Sequence, residues 1–99
     1  MCVKPIYVYI MTNRPTGTLY IGVTGDLRGR VLQHRLHQAP GFTDRYNLER
    51  LVHFEIFEDA PAAIQREKNL KKWKRDWKVA LIQERNPMWQ DLWDEIAVP

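Results

Sequence analysis

Ninety-nine residues, 44% hydrophobic and 27% charged, supply one hydrophobic core and leave no room for a second, so the chain is expected to be a single domain over residues 1–99. Cys2 is the only cysteine, which excludes an intrachain disulfide and any cysteine-built zinc site. The formal charge of +3 and pI near 9.2 describe a modest basic excess. Ile6–Met11 (IYVYIM) is rich in β-branched and aromatic residues and predicts a strand. Asn13-Arg14-Pro15-Thr16-Gly17 is turn chemistry, and Leu19–Val23 (LYIGV) predicts the returning strand of a hairpin. Thr24 or Asp26 can cap a helix running to about His37, with Leu27 and Val31 as its thin apolar face. Gln38 to Glu49 is a polar loop around Gly41-Phe42-Thr43, and Leu51–Phe57 (LVHFEIF) alternates as a third strand. Asp59-Ala60-Pro61 starts a helix to about Lys72. A second helix, about Asp76–Arg85, is expected to bury Trp77, Ala80 and Leu81, and Asn86-Pro87 ends it. A last short helix near Trp89–Ile96 lays Trp89, Leu92, Trp93 and Ile96 on the core. The sum is a small antiparallel sheet with helices packed against it, an α+β or mixed α/β layer fold.

Period two places Tyr7, Tyr9 and Met11 on one face of the first strand, and Tyr20 with Gly22 on one face of the second. The hairpin brings Tyr9 near Tyr20. The aliphatic side is the natural core face, so the tyrosine side is expected to face a groove, with Gly22 leaving space for a ligand or backbone. The alternative is tyrosines that only pack. Arg30 and His34 share a helix face, and Asp26 lies four residues before Arg30. Asp26 and Arg30 can form a surface pair; equally, Arg30 can bind a phosphate with its planar donor fork, and His34 can donate to it or relay a proton.

Glu67 lies three residues after Ile64 and three before Leu70, on an apolar stripe. A carboxylate there needs a cation or donors. Lys71 can supply the cation; so can a hard divalent ion, Mg²⁺ or Mn²⁺, completed by waters and a substrate phosphate. From Arg66 to Lys78, seven bases stand against Glu67 and Asp76, or +5, while Glu84 to Pro99 carries one base against four acids, or −3. The Lys71–Lys78 run (KKWKRDWK) interleaves lysines with Trp73 and Trp77. Interleaving suits stacking on single strands, whereas the four-residue tryptophan spacing favours core with lysines around it, left to neutralise a phosphate backbone. The start of the chain shows no signal pattern, and Ile6–Met11 is too short to span a bilayer. A cytoplasmic protein without membrane partners is expected.

The ordered set Tyr7-Val8-Tyr9, Tyr20-Ile21-Gly22-Val23-Thr24, Asp26-Leu27, Arg30, His34, Gly41-Phe42-Thr43, Arg45-Tyr46, Leu51-Val52, Phe54-Glu55, Glu67-Lys68, Leu70-Lys71, Trp73, Asn86-Pro87, Trp89 and Asp91-Leu92 resembles the GIY-YIG nuclease domain. It resembles in particular the small stand-alone group labelled GIY-YIG (URI) domain or UPF0213-type proteins. The resemblance covers almost the whole chain. It implies a three-stranded antiparallel sheet flanked by helices and metal-dependent hydrolysis of DNA phosphodiester bonds. By position, Tyr9 would activate or orient the attacking water and Tyr20 would support it. Arg30 would bind the scissile phosphate, His34 would assist, and Glu67 would be the single ligand of Mg²⁺ or Mn²⁺. Tyr7, Gly22, Thr43, Lys68, Lys71 and Asn86 would contribute to substrate binding, Asn86 by bracing the site from behind. A phenol is a poor base at neutral pH, so Tyr9 needs a cation or metal nearby. The first glycine and isoleucine of the family motif are Tyr7 and Val8 here. The implied partner is DNA, single- or double-stranded and including branched forms, read with low sequence specificity by a monomer or weak homodimer without a small-molecule cofactor. The alternative is a nucleic-acid-binding module with little cleavage.

Overall fold

A computed structural model describes residues 4–38 and 46–97. Three strands, β1 (Ile6–Thr12), β2 (Leu19–Thr24) and β3 (Arg50–Phe57), form one antiparallel sheet in the order β2-β1-β3. Four helices follow the chain: α1 (Leu27–Arg35), α2 (Ala60–Lys72), α3 (Arg75–Arg85) and α4 (Trp93–Ala97). Each expected element is present within a few residues of its expected limits. None of the described helices is long and apolar enough to cross a membrane.

β1 is the central strand, and Val8 through Thr12 are all fully buried. Its unbroken apolar run is the signature of a strand covered on both faces. On one face Val8, Ile10, Ile21 and Val52 pack with Ala63 and Leu70 of α2, Ile82 of α3, and Trp89. On the other, Tyr9 and Met11 pack with Leu27 and Val31 of α1 and with Leu48 and Leu51. The expectation that the tyrosine side opens onto a groove is therefore corrected at Tyr9. That side carries a second hydrophobic cluster, against the expectation of a single core, and Tyr9 is part of it.

α1 starts where Asp26 accepts the Gly29 amide at 3.1 Å, as an N-cap should. It stops two residues short of His37, which sits in the left-handed region at φ 56°. Asp91 then locks three elements together. It accepts from Arg35 of α1 at 2.5 Å, from the Leu51 amide of β3 at 3.2 Å and from the Trp93 amide at 3.1 Å.

Two packing expectations fail. α3 turns Val79, Leu81 and Ile82 toward the core and leaves Trp77 55% exposed, so its inward face is rotated from the Trp77–Ala80–Leu81 stripe. Trp89 is buried as expected but lies outside the last helix, at φ 55°. The chain turns there to bring α4 back over the β3 side.

Candidate active site

The β1–β2 register sets Tyr9 opposite Gly22 and Met11 opposite Tyr20. Tyr9 and Tyr20 are thus diagonal neighbours, with ring centroids 6.3 Å apart. A Cβ on Gly22 would lie 2.5 Å from the Tyr9 hydroxyl oxygen. The space left by Gly22 is filled by the Tyr9 phenol, which corrects the expectation that it serves a ligand.

His34 reaches this pair from α1, where one helical turn puts it on the face of Arg30. Its Nε2 lies 3.1 Å from the Tyr9 hydroxyl. Its ring centroid is 5.9 Å from that of Tyr9 and 5.6 Å from that of Tyr20. Arg30 is exposed on the same helix, and its positive charge acts on the Tyr9 hydroxyl. Asp26 gives its carboxylate to the helix cap. Tyr9 and His34 therefore form a buried floor, and Tyr20 and Arg30 lie nearer solvent.

The electrostatics follow from this layering. Burial pushes the Tyr9 phenol well above its ordinary range, Tyr20 adds to the rise, and Arg30 only partly offsets it. Tyr9 is accordingly a neutral phenol at neutral pH, not a phenolate. Burial also lowers the His34 pKa, and the nearby Arg30 charge lowers it further. His34 is a neutral imidazole able to accept a proton.

Glu67 approaches from α2, close enough to Tyr9 for its charge to act on the phenol. Its side chain is 16% exposed and meets the Lys71 ammonium at 3.5 Å, one turn on. Lys71 is itself well exposed, so the pair is loose. Among the described residues no three His, Cys, Asp or Glu side chains cluster for a metal. One half-sheltered carboxylate fits a hard divalent ion that takes its other ligands from water and a substrate phosphate.

The other expected residues are more scattered. Lys71 joins Tyr20, Leu19, Ile21 and Lys78 around an open hollow of about 180 Å³. Lys68 is exposed on α2, one residue past Glu67. Tyr7 pairs with Thr24 and lines a different hollow, of about 420 Å³, with Asp26 and Arg28 at the start of α1. Asn86 is not brought to the cluster. Its side-chain amide donates to the Val52 carbonyl at 3.1 Å and the Gln90 carbonyl at 2.9 Å, and its oxygen accepts the Gln90 amide at 2.9 Å. It clasps the end of α3 to β3, the strand on the far side of β1 from Gly22 and Tyr20. Thr43 lies outside the described residues.

One charged cluster was not anticipated. His53 Nε2 lies 2.8 Å from Glu55, and Arg66 grips the same carboxylate through Nε at 2.8 Å and Nη2 at 2.9 Å. Burial acts to raise the Glu55 pKa, but the hydrogen bonds from His53 and Arg66 outweigh it and hold the value at about 2. The period-two spacing of His53 and Glu55 was the available signal. Arg66 was hidden among the other bases of its helix.

A family model described as the GIY-YIG catalytic domain matches residues 5–80. A UPF0213 protein of Haloquadratum walsbyi is 36% identical over 78 residues, covering 79% of this chain and 86% of that protein. A UPF0213 protein of Staphylococcus aureus is 34% identical over 79 residues, covering 80% and 95%. The solution NMR structure of a UPF0213 protein from Bacillus halodurans superposes with a TM-score of 0.56, covering 96% of this chain and 99% of that one at 23% identity. That likeness carries the fold alone.

Proposed function

The chain belongs to the GIY-YIG family, a nuclease superfamily, as a small protein of the UPF0213 type, and from that premise we propose that it hydrolyses DNA phosphodiester bonds at the Tyr9–Tyr20–Arg30–His34–Glu67 cluster. The observation that carries this reading is the Tyr9 hydroxyl, 3.1 Å from His34 Nε2 and within reach of the Arg30 charge. Phenol and imidazole meet there, and the charges of Arg30 on α1 and Glu67 on α2 act on the same hydroxyl.

The reading assigns each group a role its environment permits. Arg30, exposed and bearing a planar fork of donors, binds the scissile phosphate and offsets charge that grows in the transition state. Tyr20 orients the phosphate and the attacking water. Tyr9 stays neutral throughout. It accepts a proton from the attacking water as it passes its own to His34 Nε2, so no phenolate forms in the buried floor. The leaving oxygen takes its proton from solvent. Glu67 would hold a divalent ion such as Mg²⁺ or Mn²⁺, whose charge would offset that of the phosphate.

The test incubates supercoiled plasmid and labelled single strands in Mg²⁺ or Mn²⁺ and in EDTA, with the wild-type chain, Arg30→Ala and Glu67→Ala. Metal-dependent cleavage of either DNA, lost in both variants, supports the reading. Equal background in all three would leave the nucleic-acid-binding module, which the burial of Tyr9 favours.

A further inference from the structure

Trp77 belongs to neither core. It is 55% exposed, on a helix whose packing is done by Val79, Leu81 and Ile82. A tryptophan left in water forgoes one of the largest burial gains open to a side chain. The ring is nevertheless held: it meets Trp73 edge to face, with centroids 6.1 Å apart. Lys74 Nζ lies 5.8 Å from its centroid, which sets a cation beside the platform.

Lys78, the next residue of α3, lines a hollow at the candidate active site. Lys78 Nζ lies 3.4 Å from the Lys71 carbonyl oxygen, and both lysines wall the hollow of about 180 Å³ whose other side is Tyr20. Arg75 ties the start of α3 to the β1–β2 turn, donating to the Thr16 and Gly17 carbonyls at 2.6 and 2.7 Å. Platform, basic hollow and Tyr20 therefore sit on one braced frame.

We propose that Trp77 is a base-stacking platform for single-stranded DNA on its way to the cleavage site, with Lys71, Lys74 and Lys78 against its phosphates. The proposal rests on the nuclease reading above and narrows its substrate to single strands or the unpaired arms of branched DNA. Bases within a duplex are already stacked and offer no face to an indole, whereas an unpaired base of any identity does. The lysines add attraction without sequence preference.

The test is fluorescence anisotropy in EDTA, with a labelled oligothymidylate of about twelve nucleotides and a duplex of the same length. The wild-type chain is compared with Trp77→Ala, with Trp77→Leu, which keeps apolar bulk against Trp73, and with Trp77→Phe, which keeps a ring. Ala and Leu are expected to weaken single-strand binding about tenfold, Phe to retain most of it, and duplex binding to change little. Single-strand affinity unchanged in Trp77→Leu, or an equal loss on both DNAs, overturns the proposal. Because no cleavage is read, the two claims separate. A chain that nicks plasmid but ignores Trp77 loses this proposal alone. One that cleaves nothing but needs Trp77 for single strands loses the nuclease reading alone.

Discussion

At Gly22 an added Cβ would fall 2.5 Å from the Tyr9 hydroxyl oxygen and 2.6 Å from the carbon that bears it. The Tyr9 ring is fully buried between β2 and α1 and has nowhere to retreat. Gly22→Ala is therefore expected to destabilise the fold by about 1–3 kcal/mol, as overpacking does, and to break the Tyr9–His34 contact; urea unfolding and plasmid nicking read the two effects. Tyr9→Phe, which takes the hydroxyl from the buried His34 Nε2, should cost about 1–3 kcal/mol of stability while cutting the nicking rate by about a hundredfold or more, the scale of a lost proton transfer. A Tyr9→Phe chain that nicks at the wild-type rate would remove Tyr9 from the chemistry. His34 must be neutral to receive the proton, and its pKa lies below the ordinary 6.5. The acid limb of the nicking rate is therefore expected below pH 6.5, and a limb above it would contradict the relay.

Among the elements, β3 and α2 are coupled by charge through Glu55, Arg66 and His53. The folded pKa of Glu55, about 2, is below its ordinary 4.5. As pH falls through 4.5 the unfolded chain takes up a proton that the folded chain refuses. The stabilisation is thus whole above 4.5 and is lost progressively down to about 2. Urea midpoints followed across that window should fall in the wild-type chain. Glu55→Gln should start less stable and fall less; parallel curves for the two would show that Glu55 is not the group responsible. Element by element, strand propensity and one helix cap were legible: IYVYIM, LYIGV and LVHFEIF became β1, β2 and β3, and Asp26 capped α1, whereas Asp59 makes no side-chain cap bond to α2. The proximity of Tyr9, Tyr20, Arg30 and His34 could be read from hairpin pairing and helical spacing, which are local rules. Burial of Tyr9 could not, because it depends on which strand becomes central and what covers its second face. Nor could the exposure of Trp77. Which stripe of α3 turns inward is decided by α2 and the sheet, and the sequence offers two stripes with aliphatic residues on both. Asn86 shows the same limit: its position after α3 was legible, but its partners, Val52 and Gln90, were set by how the chain returns to β3.

For the molecule as a whole, the two faces of the sheet divide the labour. One face, under α2 and α3, holds the aliphatic core; the other, under α1, holds the aromatic floor of the candidate active site. Glu67 belongs to α2 and the His34–Arg30 pair to α1, so the cluster draws on helices from both layers. That dependence makes Glu67 the residue on which the central claim turns. Removing its charge with Glu67→Gln keeps its size and should leave DNA affinity close to wild type, because the lysines and Arg30 remain. The deciding measurement is single-turnover cleavage of labelled DNA in Mg²⁺ by Glu67→Gln, beside its DNA affinity in EDTA. Cleavage reduced to the EDTA background with affinity retained is the expected result. Cleavage at the wild-type rate with affinity retained would contradict a one-carboxylate nuclease site.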